Sequence, residues 1–252
     1  MKKYFEQIKK NVYYITLFGD LEASIRYHII NKLLLKYWSR RRPISVLDVG
    51  GGSRTIYPEL KKYISSGLVN LTSLDTTFLK GKLFKDVTYL KNKNVYFPFS
   101  DSSFDFVISS DTLEHIPPKN RKSFLKELLR VSKDYIIITF PLGKESEKLD
   151  KYLYYYSKEL TGTPHYFLKE HFIFGLPNES LLQEVFEGKT SKIVSLYPGI
   201  PLHFRSYFMR MWLKYPLLFK LVTPLLLFLS FICFRIPFRP SYRKYFVVRK
   251  IV

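Results

Sequence analysis

Two acids, three glycines and three histidines carry the chemistry that this chain could do. Val46-Leu47-Asp48-Val49-Gly50-Gly51-Gly52 runs an aliphatic strand pattern into a glycine turn, the form of a buried strand handing over to a helix at a ligand-binding loop. Glycine there lets backbone approach a ligand that a Cβ would push away, although strand-to-helix turns also use glycine for plain steric reasons. Asp75 closes the next apolar run, Leu71-Thr72-Ser73-Leu74, and a strand-end carboxylate can accept from both hydroxyls of a ribose. His115, His165 and His171 carry the side chain best poised near neutral pH to take a proton. No set of His and Glu residues has the spacing of a metal site.

Strands and helices alternate around these residues. A helix is predicted over 22–38, with Ile25, Ile29, Ile30, Leu33, Leu34, Tyr37 and Trp38 on one face, and His28 in it reads as structural. The basic run Arg40-Arg41-Arg42 reads as a solvated loop. After the glycines Ser53 can cap a helix from about Thr55 to Ser66, with Pro58 in the first turn and Gly67 closing it. Strands follow at 69–75, 87–90 and 104–110, then a helix from Pro118 to Val131 with Phe124, Leu125, Leu128 and Leu129 as its apolar stripe, then a strand over 134–141. The alternation predicts a mainly parallel, doubly wound α/β sheet with helices on both faces, whose crevice lies beyond the carboxyl ends of the strands. Gly50, Asp75, Asp111 and Pro141 fall along that rim.

Asp48-x-Gly50-x-Gly52 belongs with a second string, Phe97-Pro98-Phe99-Ser100-Asp101-Ser102-Ser103-Phe104-Asp105, followed by Leu113-Glu114-His115. Together they resemble the class I S-adenosylmethionine-dependent methyltransferases, of the type 11 kind, over residues 44–198 and a terminal strand. The resemblance implies a Rossmann-like, seven-stranded sheet, S-adenosyl-L-methionine as cofactor, and a cofactor site drawn from Asp48, Gly50, Gly51, Gly52, Asp75, Thr76, Asp101, Ser110 and Asp111. Two positions depart from it. Arg54 stands where a third glycine is commoner, and Asn92-Lys93-Asn94 stands where relatives carry an acid against adenine. Asp105 reads as an anchor of structure.

Residues 142–176 are long for a loop and rich in Tyr, Lys, Glu and His, and a long connection at a rim reads as a lid over the acceptor. Its segment Thr163-Pro164-His165-Tyr166-Phe167-Leu168-Lys169-Glu170-His171 resembles stretches of methyltransferases associated with cell-surface glycans. His165 and His171 are therefore the first candidates for a base, and His115 the next. A helix over 180–186 and a strand over 191–197 complete the core.

Composition bounds the rest. In 252 residues, 46% of them hydrophobic, the chain has material for one sizeable core. Its one cysteine, Cys233, excludes an intramolecular disulfide and points to a reducing compartment, and the first residues, rich in Lys, Tyr and Glu, show no signal-peptide core. The formal charge of +20 calls for a polyanionic neighbour. From Gly188 onward there is no Asp or Glu against 12 Lys and Arg, and Leu221 to Phe234 is free of charge. Arg205, Arg210, Lys214, Arg235 and Arg239 flank that run, with Tyr207, Trp212 and Tyr215 as amphipathic anchors, which suits a lipid interface. A crossing needs about 20 apolar residues, and a single crossing would separate the last strand from its sheet, so Pro216, Pro224 and Pro237 suggest a bent or surface-lying hairpin. A helical cap over the site or a dimer interface is the alternative, and His203 reads as interfacial.

The organisation expected is an arm and packing helix over 1–43, a cofactor-binding core over 44–198, a basic hydrophobic insertion over 199–242 and the last core strand over 243–252. The leading functional reading is methyl transfer, at oxygen, to a small, glycan or lipid-linked acceptor at an anionic cytoplasmic membrane face, with the protein peripheral or monotopic there. The alternatives are a nucleic-acid methyltransferase, for which the leucine- and phenylalanine-rich block has no use, and a non-catalytic membrane-bound module keeping the fold.

Overall fold

The computed structural model describes residues 21–53, 55–78, 84–233 and 240–251. The arm over 1–20, Arg54, Arg235, Pro237 and Arg239 lie outside the described residues. Seven strands form one sheet: β1 (Ile44–Val49), β2 (Val69–Asp75), β3 (Val87–Lys91), β4 (Phe104–Ser110), β5 (Ser132–Pro141), β6 (Ser191–Pro198) and β7 (Arg243–Lys250). Their order is β3-β2-β1-β4-β5-β7-β6. β1 to β5 run parallel and β7 runs antiparallel between β5 and β6. This is the Rossmann-like, doubly wound α/β fold that the alternation of elements predicts, and its order reverses between β1 and β4, where such sheets bind ligands.

The period-2 alternation of side chains along each strand divides the core. On one face Val46, Leu71, Phe106, Ile137 and Val247 pack against Ile30 and Leu34 of helix α1 (residues 21–37), Trp38 just beyond it, and Leu60 of α2 (Tyr57–Ser65). On the other face Leu47, Val107, Ile136 and Val248 meet Phe124, Leu125 and Leu128 of α3 (Pro118–Val131) and Leu182 and Phe186 of α6 (Glu179–Phe186). β4 is buried along its whole length, in keeping with its Phe106-Val107-Ile108 run, and takes Asp105, Ser109 and Ser110 inside with it.

Local chemistry fixes the turn after β1 differently from the simple cap expected at Ser53. Thr55 has φ of 51°, in the left-handed region, and its Oγ1 accepts from Tyr57 N at 2.9 Å while Asp48 Oδ2 accepts from Ile56 N at 2.8 Å. The helix therefore starts at Tyr57, with Pro58 in its first turn, and Gly67 (φ 71°) ends it. Arg42 is likewise more than a solvated loop residue. It donates to Asp105 at 2.8 Å and to Asp134 at 3.0 Å, while Asp105 also accepts from Ser45 N at 2.8 Å.

Asp48 is fully buried, and burial pushes its carboxyl up to about 7 against the hydrogen bonds from Ile56 N and the Tyr27 hydroxyl. A folded-state value above the unfolded one means stability is complete below about pH 4 and lost as pH rises through about 7. The wild type should therefore lose about 2–4 kcal/mol relative to Asp48→Asn between pH 4 and pH 9, since each tenfold change in a proton-binding constant is worth roughly 1.4 kcal/mol. Urea unfolding of both proteins at the two pH values checks this.

Beyond β5 the 142–176 stretch is a pair of helices rather than an extended loop: α4 (Lys144–Thr161) and α5 (Tyr166–Phe174). Gly162 closes α4 in the left-handed region, and Glu145 and Glu147 lie in its first turn, where acids complement the helix dipole. Between β6 and β7 lie α7 (Leu202–Lys214) and α8 (Pro216–Cys233). A third apolar cluster joins Leu153 of α4, Leu168 of α5, Met209 and Trp212 of α7 and Phe219 of α8. Two residues expected at a lipid interface belong to this interior instead: Trp212 is 1% exposed and Arg205 3%. The countercharge that takes Arg205 inside is Glu22, on α1. Among the described residues no helix is long and apolar enough to cross a membrane.

Candidate active site

The rim of the sheet holds two cavities that meet. The larger, about 610 Å³, is lined by Val49 and Gly50 at the end of β1, Asp75 and Thr76 at the end of β2, Asn92 to Val95, and Phe97. The smaller, about 210 Å³, lies under α5 and α7 and is lined by Glu22, Arg26, Glu114, His165, Phe167, His171, Arg205, Trp212 and Tyr242. Asp111, His115 and Tyr166 line both.

The glycine loop is built for close backbone approach. A Cβ on Gly50, whose φ is 78°, would come within 2.1 Å of Thr112 Oγ1, and one on Gly51 within 2.5 Å of Asp48 Oδ2. Gly52 N donates to Asp75 Oδ2 at 2.9 Å, and Thr77 N to Asp75 Oδ1 at 3.1 Å, so the strand-end acid orders both the loop and its own turn while facing the larger cavity. Of the loop candidates Gly50 lines the larger cavity, and Asp48, Gly51 and Gly52 line neither. Asn92 to Val95 close the side on which the sequence has no acid, and Asn92 braces the turn through Asn94 O and Tyr96 O, both at 3.0 Å. The volume lies in the range of small-molecule sites, and glycine backbone beside a strand-end carboxylate fits a ribose-bearing group such as S-adenosylmethionine.

The structure separates the other candidate cofactor residues. Asp101 is exposed, pairs with Arg130 at 2.8 Å and lines neither cavity. Arg130 also donates to Phe99 O and Phe97 O, and Glu127 accepts from Phe97 N, so this acidic turn holds Phe97 on the cavity wall from behind. Ser110 is buried and accepts from Arg26 Nε at 3.1 Å. Asp111 (φ 48°) reaches the junction, held by Arg243 at 2.6 Å and Arg26 at 2.9 Å. Backbone in that sparsely used region concentrates at functional sites.

Behind Asp111 sits a buried charge cluster that the sequence does not signal. Glu22 pairs with Arg205 and Arg243, and although burial would raise its carboxyl, those arginines and Arg26 hold it at about 2. Its partners lie 183 and 221 residues away along the chain.

The three histidines differ in setting. His165 caps α5 with its ring 4.3 Å from Phe167 and 5.1 Å from Trp212, and burial, followed by the charge of Arg205, lowers it to about 4. It is neutral near pH 7 and a weak proton acceptor. His171 Nδ1 lies 2.7 Å from Asp150 Oδ2, in a site only 4% exposed on either side chain. His115 Nδ1 lies 2.6 Å from Glu170 Oε2. Burial and then the charge of His171 push His115 down, with Glu170 opposing them, so it is neutral near pH 7. In both pairs a carboxylate fixes Nδ1 as the protonated nitrogen and leaves Nε2 as the base. Only His115 of the three lines both cavities. His203 is exposed.

Residues 47–137 match the family model described as a methyltransferase domain. Solved structures of the same fold include a provisional sarcosine dimethylglycine methyltransferase from Galdieria sulphuraria, 15% identical, with a TM-score of 0.56 over 90% of this chain and 86% of that one. A SAM-dependent methyltransferase from Methanosarcina mazei is 17% identical, with a TM-score of 0.52 over 87% and 97%. A phosphoethanolamine N-methyltransferase from Haemonchus contortus, solved with phosphomonomethylethanolamine and S-adenosylhomocysteine, is 15% identical, with a TM-score of 0.52 over 87% of this chain and 52% of that one. No curated protein matches the chain by sequence.

Proposed function

We propose that this class I, S-adenosylmethionine-dependent methyltransferase binds its cofactor in the larger cavity and an oxygen acceptor in the smaller one, with transfer at their junction. The observation that carries the reading is the shared wall of Asp111, His115 and Tyr166. The cofactor supplies an activated methyl group on a sulfonium, which needs an aligned acceptor, the exclusion of water and, for a hydroxyl, a proton acceptor. Tyr166 and Phe167 of α5 and Trp212 of α7 close the smaller cavity, and His115, oriented by Glu170, offers Nε2 beside the place where both ligands meet.

The acceptor in this reading is a glycan or lipid-linked molecule at an anionic, cytoplasmic membrane face. What supports it is the continuity of α7 and α8. Arg205 and Trp212 of α7 line the acceptor cavity, and the next helix exposes Leu217, Leu218, Leu221 and Leu225, with Tyr215 at its start. Apolar side chains of this kind give attachment that detergent reverses, with each nearby Lys or Arg adding about 1 kcal/mol on an anionic leaflet. Incubation with methyl-labelled cofactor and either membrane lipid extract or total RNA tests the acceptor class. Label is expected in the lipid or glycan fraction, and label in RNA alone would overturn it. On a gradient the protein should float with anionic liposomes in high salt, and a monodisperse species left at the bottom would overturn the membrane part.

A further inference from the structure

The geometry points to a divalent transition-metal site in the acceptor cavity, formed by Glu114, His115 and His171. Glu114 and His115 sit on a short 3₁₀ turn (Leu113–His115) after β4, and His171 sits on α5. One ligand atom of each lies within 4.8 Å of the other two. Arg121 clamps the two elements together, donating to Ile116 O at 3.0 Å beyond the turn and to Gly175 O at 2.7 Å beyond α5.

Three features separate this group from a chance meeting of polar side chains. First, both imidazoles have Nδ1 engaged by a carboxylate, His115 with Glu170 and His171 with Asp150. That is the outer arrangement of metal-binding histidines, in which a carboxylate fixes the tautomer and turns Nε2 to the ion. Asp150 is itself held by the Tyr242 hydroxyl at 2.9 Å. Second, Glu114 Oε2 and His171 Nε2 are buried without a hydrogen-bond partner, in residues 1% and 6% exposed. Buried polar atoms left without a partner are unfavourable, and a cation bound by both side chains would satisfy them. Third, all three residues line the smaller cavity, so positions on the ion remain open to an acceptor.

Two imidazoles, one carboxylate and open positions suit Zn²⁺, Fe²⁺, Mn²⁺ or Co²⁺ rather than Ca²⁺ or Mg²⁺. The site rests on the acceptor-cavity reading above and deepens it: with Nε2 on an ion, His115 would act on the acceptor hydroxyl through the metal instead of taking its proton directly. Bound to the ion, an acceptor hydroxyl loses its proton to solvent far more readily. Its oxygen then forms the O–C bond to the methyl group as the C–S bond breaks, with the bonding pair passing to sulfur, which ends as a neutral thioether.

Titration of the metal-free, full-length protein with Co²⁺, followed by its visible absorption bands, tests the site without any turnover. One Co²⁺ per chain is expected, displaced by Zn²⁺. Uptake should be lost in His171→Ala and in the near-isosteric Glu114→Gln, and weakened about 10–100-fold in Asp150→Asn, the usual effect of removing an outer carboxylate. S-adenosylhomocysteine binding, measured alongside by calorimetry, reports that each variant is folded. A wild-type protein that binds S-adenosylhomocysteine but takes up no Co²⁺ would overturn the metal site and leave the methyl-transfer reading standing. Uptake that persists undiminished in Glu114→Gln and His171→Ala would also overturn it. Co²⁺ uptake without S-adenosylhomocysteine binding would instead contradict the cofactor site.

Discussion

His115→Ala is expected to lower kcat by about 10²–10⁴-fold at saturating cofactor, the range for removing a group that handles a proton in the transition state. His115 is the one histidine lining both cavities, and Glu170 at 2.6 Å holds its Nδ1. Because it lies where the two cavities meet and not on the glycine loop, cofactor affinity should change little, so the loss should fall on kcat rather than on the dissociation constant of S-adenosylhomocysteine. Steady-state kinetics beside calorimetry separates the two. His165→Ala should have the smaller effect of the pair, since a histidine held at about 4 is a poor base near neutral pH. A kcat for His115→Ala within about threefold of wild type would move the proton-handling role elsewhere.

The second large effect is on stability. Arg243→Met should cost about 3–5 kcal/mol, the penalty for breaking a buried ion pair by removing one partner. Arg243 is 1% exposed and touches both Glu22, at 3.1 Å, and Asp111, at 2.6 Å. Its loss leaves the carboxylates of Glu22 and Asp111, 6% and 14% exposed, to Arg26 and Arg205 alone. Arg42 also bridges two acids but its side chain is 54% exposed, so Arg42→Met should cost less than about 1 kcal/mol. Urea unfolding of the two variants decides whether burial, rather than the number of ion pairs, sets the magnitude. Equal losses would show that burial of the Glu22 cluster does not set the cost. Because Glu22 is held near 2, its share of stability is present above its ordinary range and lost only as pH falls through about 2.

What could be read from the sequence followed how locally it was encoded. β2 and β4 span the residues predicted for them, 69–75 and 104–110, because each holds a local cluster of apolar residues bounded by polar ones. The start of α2 was less legible, because its orphan N–H groups are met by Thr55 and by Asp48 from the preceding strand instead of the nearest serine. Residues 142–176 form two helices that their aromatic, lysine-rich composition did not distinguish from a loop. Glycine spacing brought Gly50 to the cavity, and the acid at the end of β2 brought Asp75. The same string that suggested Asp101 placed it on the far side of Phe97, where it pairs with Arg130.

Nonlocal partners were the limit elsewhere. Arg205 and Trp212 lie in a stretch without an acid, so sequence proximity suggested a lipid interface. Their real surroundings are Glu22 on α1 and the α4–α5 pair. Glu114, His115 and His171 show no ligand spacing because they come from a 3₁₀ turn and a helix more than fifty residues apart. Only the fold closes that distance.

The central claim is that the cofactor occupies the cavity between the glycine loop and Asp75, and calorimetric titration with S-adenosylhomocysteine tests it most directly. The wild type should bind one molecule per chain. Asp75→Ala should bind about 1–3 kcal/mol more weakly, the penalty for removing the partner of a buried polar group, which is roughly a 5- to 150-fold rise in Kd. Gly50→Ala should bind far more weakly still, because its new Cβ would lie 2.1 Å from Thr112 Oγ1 and its φ of 78° is strained for alanine. Unchanged affinity in both variants, with wild-type unfolding transitions, would place the cofactor elsewhere and contradict the account.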